Sequence, residues 1–227
     1  MPFLVMSGTG TDVGKTIATA VVVKYLSNKG IEVLPIKPVQ TGEKPGSGDI
    51  FSIEKLTGIK GKEWVRFRDP LAPNLAATQE GAAPVDPPAL IAWLKQQDAP
   101  HRLVVIEGAG GLLVRLAAEF SIADVAAELN APLLIVTSTG LGSLNAAELT
   151  VEAARHRGLE VIGLIGGSIS AKPDLATRLN LIEFERTSKV PFIGAIPQGA
   201  GALNPEEFSE LVAGFNFPVL DLLHPVS

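Results

Sequence analysis

Short, almost unbroken runs of aliphatic and β-branched residues punctuate the chain at residues 3–6, 33–36, 103–106, 133–137, 161–165 and 192–196. Polar and apolar positions do not alternate within them, which is the pattern of strands covered on both faces. Between these runs apolar positions recur at helical spacing, predicting helices over 15–29, 88–97, 121–129, 144–157, 175–188 and 205–213. Strand and helix thus alternate, predicting an α/β fold: a doubly wound, mostly parallel sheet with helices on both faces. The rhythm fails across residues 42–100, which open on the turn-rich Glu43-Lys44-Pro45-Gly46-Ser47-Gly48-Asp49 and carry Pro70, Pro73, Pro84, Pro87 and Pro88. A long irregular connection of this kind is expected to be functional. With no internal repeat and no domain-scale linker, residues 1–227 are expected to form one domain.

Composition narrows the function. At 46% hydrophobic and 19% charged residues the chain can bury a sizeable core. A net charge of −5 excludes a general nucleic-acid or membrane-surface binder, because both need a basic face. The absence of cysteine excludes disulfides, thiolate metal sites and a cysteine nucleophile, and fits a reducing cytoplasm. No apolar stretch approaches the roughly 20 residues of a membrane helix. The first residues lack the basic segment and cleavage site of a secretory signal. A soluble, cytoplasmic protein is expected.

The first strand runs into Gly8-Thr9-Gly10-Thr11-Asp12-Val13-Gly14-Lys15-Thr16 and then a helix. Backbone N–H groups of such a loop surround phosphate oxygens, helped by the helix N-terminus. Lys15 would reach the β- and γ-phosphates, and the Thr16 hydroxyl would ligate Mg²⁺. The spacing departs from the usual phosphate loop, because Thr9 stands where its first glycine is expected. A strand–loop–helix context with Gly-Lys-Thr in place still points to a nucleoside triphosphate with Mg²⁺, on a P-loop NTPase-like fold. A second strand ends in Glu107, followed by Gly108-Ala109-Gly110-Gly111. In open α/β sheets ligands sit beyond the carboxyl ends of the strands, so Glu107 is placed to reach the same metal, directly or through water.

The phosphate loop, then Lys37-Pro38-Val39-Gln40-Thr41-Gly42 after the second strand, then Glu107-Gly108-Ala109-Gly110-Gly111, then Thr139-Gly140-Leu141-Gly142-Ser143-Leu144-Asn145 resemble dethiobiotin synthetases in order and spacing. The resemblance covers almost the whole chain. It implies a homodimeric, ATP- and Mg²⁺-dependent ligase that joins 7,8-diaminopelargonic acid and CO₂ into dethiobiotin, the penultimate step of biotin biosynthesis. One amine takes up CO₂, the carbamate oxygen attacks the γ-phosphate, and the other amine closes a cyclic urea with release of ADP and phosphate. Carbamate and triphosphate are both anionic, so cations must gather between them in a water-poor site.

By resemblance, the catalytic residues are Lys37, which bridges carbamate and γ-phosphate, Lys15, and Thr11. Thr41 hydrogen-bonds the carbamate, and Asp12 lies near the substrate amine. Asp49 completes the metal set with Thr16 and Glu107. The nucleotide is implied to contact Asp12, Val13, Gly14, Lys15, Thr16, Ile17, Asp49, Glu107, Gly108, Ala109 and Gly110, with the base near Gly167, Ser168, Pro197, Gln198 and Gly199. Gly142, Ser143, Leu144 and Asn145 are implied to capture the substrate carboxylate from the neighbouring subunit, and Leu71, Ala72 and Pro73 to line its alkyl chain. Without the resemblance, Ser143 reads as a helix cap and Asp49 as the cap of a following helix.

One departure bears on the base. Family members carry an adenine-reading Asn where this chain has Gly167, so weaker base discrimination is expected. A ParA/MinD-like regulatory ATPase is the alternative, but its additional lysine early in the loop is missing between Gly8 and Val13. Glutamine-dependent amide synthases of the cobyrinic acid type need a glutaminase domain with a cysteine. His101, His156 and His224 are too scattered to bind a metal together. Ser121 and Asp124 read as a helix cap, and Trp64 and Trp93 as packing residues. The tail from Phe215 reads as either a last edge strand or a docked segment.

Overall fold

The computed structural model describes residues 2–223. Its main sheet has seven parallel strands: β1 (Phe3–Gly8), β2 (Glu32–Thr41), β3 (Lys62–Phe67), β4 (Arg102–Gly111), β7 (Leu133–Thr137), β8 (Val161–Ile169) and β9 (Phe192–Pro197). They lie in the order β3-β2-β4-β1-β7-β8-β9. A small antiparallel pair, β5 (Arg115–Ala117) and β6 (Phe120–Ser121), stands apart. The helices are α1 (Lys15–Asn28), α2 (Asp49–Thr57), α3 (Pro73–Gln79), α4 (Pro87–Lys95), α5 (Ile122–Glu128), α6 (Ser143–Arg155), α7 (Leu175–Ser188) and α8 (Pro205–Ala213).

The unbroken apolar runs are explained by burial on both faces. In β1, Leu4 and Met6 join the core under α1, α2 and α8, while Phe3 and Val5 join the core on the opposite face. β4 repeats this, with Leu103 and Val105 on one side and Val104 and Ile106 on the other. The central helix α1 is buried almost all round, from Ala18 through Val23 and again at Tyr25 and Leu26.

The structure corrects the expected irregularity of residues 42–100: α2, β3 and α3 fall within it unforeseen, while α4 is the helix expected over 88–97. Three strands also outrun their apolar cores. β2 continues through Thr41, so Lys37 lies within the strand rather than after it. β4 continues through Gly111, so Gly108, Ala109 and Gly110 belong to a strand rather than a flexible turn. β8 likewise contains Gly167 and Ser168. β2 stays paired with β3 through Thr41, β4 meets β1 again at Gly111, and β8 meets β9 again at Ile169, so the strands persist after their apolar runs end.

Trp64 and Trp93 pack against the core as expected. Ser121 and Asp124 form a capping box on α5. His156 caps the end of α6, and His101 sits exposed in a turn at φ 64°. Over the described residues the tail is docked rather than a strand. Phe217, Leu220 and Leu223 are buried, and the Tyr25 hydroxyl donates to Asp221 and accepts the Phe217 N–H. His224 and the rest of the tail lie outside the described residues.

Candidate active site

Strand β1 divides the sheet: β2, β3 and β4 lie to one side and β7, β8 and β9 to the other. Its carboxyl end is the place where an open α/β sheet receives a ligand. Parallel pairing sets Met6 beside Glu107 and Ile36 beside Ile106, so the next residue of β2, Lys37, comes level with Glu107. The site's central ion pair is thus fixed by strand register and needs no loop.

Lys37 is 4% exposed and uses its three hydrogens on Asp49 Oδ2 (2.5 Å), Glu107 Oε1 (3.1 Å) and the Gly108 carbonyl (2.9 Å). Burial alone would lower its pKa, but Glu107 and Asp49 outweigh burial and hold it above the ordinary lysine value. Burial also acts on the carboxylates. It lifts Glu107 above the usual range despite Lys37, whereas for Asp49 the attraction of Lys37 wins and the pKa falls. Lys15 is buried too and donates to the Gly10 carbonyl at 3.1 Å. Its pKa is lowered by burial and further by Lys37, with Glu107 and Asp49 opposing.

The Thr16 hydroxyl lies 2.8 Å from Asp49 Oδ1 and 3.0 Å from Glu107 Oε1. With one hydrogen it donates to one of them at a time. Glu107 Oε2 is buried and lacks any partner among the described residues. A hydroxyl and two carboxylates, one of them with an orphaned oxygen, form an all-oxygen set suited to Mg²⁺. Among the described residues no group of three or more His, Cys, Asp or Glu could hold a metal alone. The set therefore fits a metal that nucleotide phosphates complete, as Mg²⁺ prefers.

A cavity of about 430 Å³ gathers Thr11, Asp12, Gly14, Lys15, Thr16, Ile17, Lys37, Thr41, Asp49, Glu107, Ala109 and Gly110, all of them expected site residues, together with Gln40 and Glu43. Val13, Gly108, Gly167, Ser168, Pro197, Gln198 and Gly199 are not part of its lining, and neither are Leu71, Ala72 and Pro73. Gly142, Ser143, Leu144 and Asn145 also lie outside it, at the start of α6, where Leu141 is 92% exposed. Ser143 is not the helix cap. It is the first residue of α6, behind Gly142, and its hydroxyl donates back to the Gly140 carbonyl at 2.6 Å. Nor does Asp49 cap α2: it too is a first helical residue, behind Gly48.

Gly167 touches the phosphate loop directly. A Cβ at Gly167 would lie 1.8 Å from the Val13 carbonyl oxygen, and one at Gly14 would lie 2.5 Å from the Gly167 carbonyl oxygen. Gly14 moreover has φ 91°, which disfavours any other residue. The loop and β8 therefore meet backbone to backbone.

Sequence reasoning missed Gln40, Arg66 and Asn180. Asn180 on α7 is 8% exposed, and its Nδ2, with two hydrogens, lies within bonding distance of three acceptors: the carbonyls of Thr139 and Gly140 and Ser143 Oγ. It thereby fixes the turn that opens α6. No local signal marks a residue whose partners lie about 40 positions away. Asn180→Ala removes the buried donor shared by these acceptors, though the Gly140 carbonyl keeps Ser143, and is expected to cost about 1–3 kcal/mol of stability, read from urea unfolding midpoints. An unchanged midpoint would contradict it.

Comparison with known proteins places this site in a family. A model described as an AAA domain matches residues 3–206. The ATP-dependent dethiobiotin synthetase BioD of Corynebacterium glutamicum is 62% identical over 97% of this chain and 96% of its own length. That of Corynebacterium diphtheriae is 55% identical over 97% of this chain and 99% of its own. Among solved structures a ParA family ATPase from Chlorobium tepidum aligns with TM-score 0.57, covering 97% of this chain and 96% of that one, at 14% identity. That likeness shows a shared P-loop NTPase-like fold and nothing further, so the regulatory-ATPase alternative is not favoured. With identity of this order along both chains, the protein belongs to the ATP-dependent dethiobiotin synthetase family.

Proposed function

We propose that 7,8-diaminopelargonic acid, CO₂ and ATP meet in the cavity at the ends of β1, β2 and β4, where the chain closes them into dethiobiotin, ADP and phosphate. The observation that carries this reading is the pair of buried lysines, Lys15 and Lys37, set around an all-oxygen cluster. Two anions must approach one another there, and preorganised positive charge in a site shielded from water is what such a transition state needs.

In this reading one amine adds CO₂ and loses a proton to give the carbamate. A carbamate oxygen then attacks the γ-phosphorus, and the β–γ bridging oxygen leaves with ADP. The second amine attacks the carbamoyl carbon, phosphate departs, and the cyclic urea forms. Lys37 holds the carbamate against the γ-phosphate, with Thr11 and Thr41 orienting the carbamate and Asp12 facing the substrate amine. Lys15 stabilises the charge that builds on the phosphate oxygens. Thr16, Asp49 and Glu107 would hold Mg²⁺, which neutralises phosphate charge when bound. No protein nucleophile is needed, since the substrate supplies each attacking atom and the protein supplies proximity.

The protein works as a single-domain subunit of a homodimer in the cytoplasm. In this reading Gly142, Ser143, Leu144 and Asn145, which lie outside their own subunit's cavity, take the carboxylate of the second subunit's substrate at the start of α6, where a helix N-terminus favours an anion. Among the described residues no helix is long and apolar enough to cross a membrane. Leu71, Ala72 and Pro73 border the alkyl chain. The base lies by Gly167, Ser168, Pro197, Gln198 and Gly199 and is read through backbone groups.

The test is an end-point mass-spectrometric assay with 7,8-diaminopelargonic acid, bicarbonate, Mg²⁺ and each of ATP, CTP and GTP. One cyclic urea per nucleoside diphosphate is expected, with comparable yields across the three nucleotides because Gly167 offers no side-chain amide to read the base. A strong preference for ATP would sink the base reading alone. No cyclic urea with any triphosphate would sink the substrate reading.

A further inference from the structure

Asp49 stands at the end of a segment that its own composition does not order. Gly42, Pro45, Gly46 and Gly48 interrupt residues 42–48, and no side chain caps α2 from within the loop. Two residues from neighbouring strands supply the order instead. Gln40 on β2 is 4% exposed, and its Oε1 accepts the Asp49 backbone N–H at 2.9 Å, capping the helix from outside. Its Nε2 donates to the Thr41 carbonyl. Arg66 on β3 uses every N–H it has. Nη1 donates to the carbonyls of Glu43 (3.1 Å) and Lys44 (2.8 Å), and Nη2 to the Ser47 carbonyl (2.8 Å). Nε and the remaining Nη2 hydrogen fall to Glu63, which holds the guanidinium in place. The two devices touch at Gly48, where a Cβ would lie 2.8 Å from Gln40 Oε1 and 3.3 Å from Arg66 Nη2.

We propose that Gln40 and Arg66 are positioning residues that hold the 43–48 loop so that Asp49 presents its carboxylate at the metal corner of the site, beside Thr16 and Lys37. This rests on the reading of Asp49 as a Mg²⁺ ligand. Arg66 neither reaches nor faces that corner, and its whole effect passes through three backbone carbonyls. A lysine there has three donors on a flexible stem and no planar fork, so it cannot replace the arginine.

The experiment is calorimetric titration of ATP into the wild type, Arg66→Lys, Gln40→Leu and Asp49→Asn, each in excess Mg²⁺ and in EDTA. Hydrogen exchange over residues 42–51 is followed alongside. Losing a supporting hydrogen bond to a metal ligand typically weakens metal binding about 10–100-fold. Arg66→Lys and Gln40→Leu are expected to lose about tenfold or more of the affinity that Mg²⁺ adds and to exchange faster over this segment alone, and Arg66→Lys, at a residue that does not line the cavity, to keep its affinity in EDTA within about twofold. If Asp49→Asn abolishes the Mg²⁺ gain while the other two variants keep it, the positioning proposal fails by itself. If Asp49→Asn keeps the full gain, the metal reading fails and takes the proposal with it. An equal fall in EDTA and in Mg²⁺ would show general loosening and overturn the proposal. Should Arg66→Lys not fold, Gln40→Leu decides the matter, since it removes one cap and leaves the arginine clamp intact.

Discussion

Replacing Lys37 by glutamine is expected to lower turnover by at least about 10²–10³-fold while ATP still binds, since removing one preorganised donor of this kind has that effect. The separation follows from where the two lysines sit. In the proposed reading Lys15 and the backbone of the phosphate loop hold the nucleotide, whereas Lys37 comes from β2 and meets the carbamate. Glutamine keeps two of the three donors in number but none of the charge, so it cannot offset the approach of carbamate to phosphate. It also leaves Asp49 and Glu107 facing each other without a cation. Breaking a buried pair in this way can cost about 3–5 kcal/mol, but protonation relieves part of it, and Glu107 already has a raised pKa. The variant should therefore fold, with somewhat reduced stability. Steady-state rates, calorimetric ATP affinity and a thermal melt separate these outcomes. Normal turnover would remove Lys37 from the chemistry, and loss of ATP binding in step with turnover would make it a nucleotide ligand instead.

The second large effect is expected at a residue with no side chain. Gly167→Ala places a Cβ 1.8 Å from the Val13 carbonyl oxygen and 2.8 Å from Val136 Cγ1, so the phosphate loop and β8 must move apart. Overpacking of this kind typically costs about 1–3 kcal/mol, and if it falls on the binding-competent loop, ATP affinity drops roughly 5–150-fold. Gly167→Asn should do no better, although asparagine is the residue that the family pattern places here. Gly167 in this chain is a requirement of loop packing, whatever stands beside it at the base. Wild-type ATP affinity in Gly167→Ala would show that the loop gives way without cost.

Much of this was readable from the sequence, and the limits have physical causes. The sheet was legible because strands buried on both faces are continuous apolar runs, as Leu4, Val5 and Met6 are. The ends of β2 and β8 were not legible, since Gln40, Thr41 and Ser168 are held in strands by neighbours rather than by their own apolar character. In α2 the spacing of Ile50, Ile53 and Leu56 was present but overshadowed by the glycines and proline before it. β3, an edge strand carrying Lys62, Glu63 and Arg66, lacks the apolar run altogether, as edges that resist further pairing often do. Lys15, Thr16 and Glu107 announce themselves through local motifs, and Lys37 and Asp49 through resemblance. The supports around them, Gln40, Arg66 and Asn180, act through contacts that only the folded chain creates.

The sheet order also governs when the site can exist during synthesis. β1 precedes both of its sheet neighbours in the chain, β4 and β7, which come from residues 102–111 and 133–137. Until β4 has left the ribosome the strand that feeds the phosphate loop has no permanent partner on either side, its second edge waits longer for β7, and pairings between segments so distant form slowly. The strand that feeds the phosphate loop is therefore not held until a segment about a hundred residues downstream has been made, and the apolar Leu4, Val5 and Met6 wait unpaired over that interval.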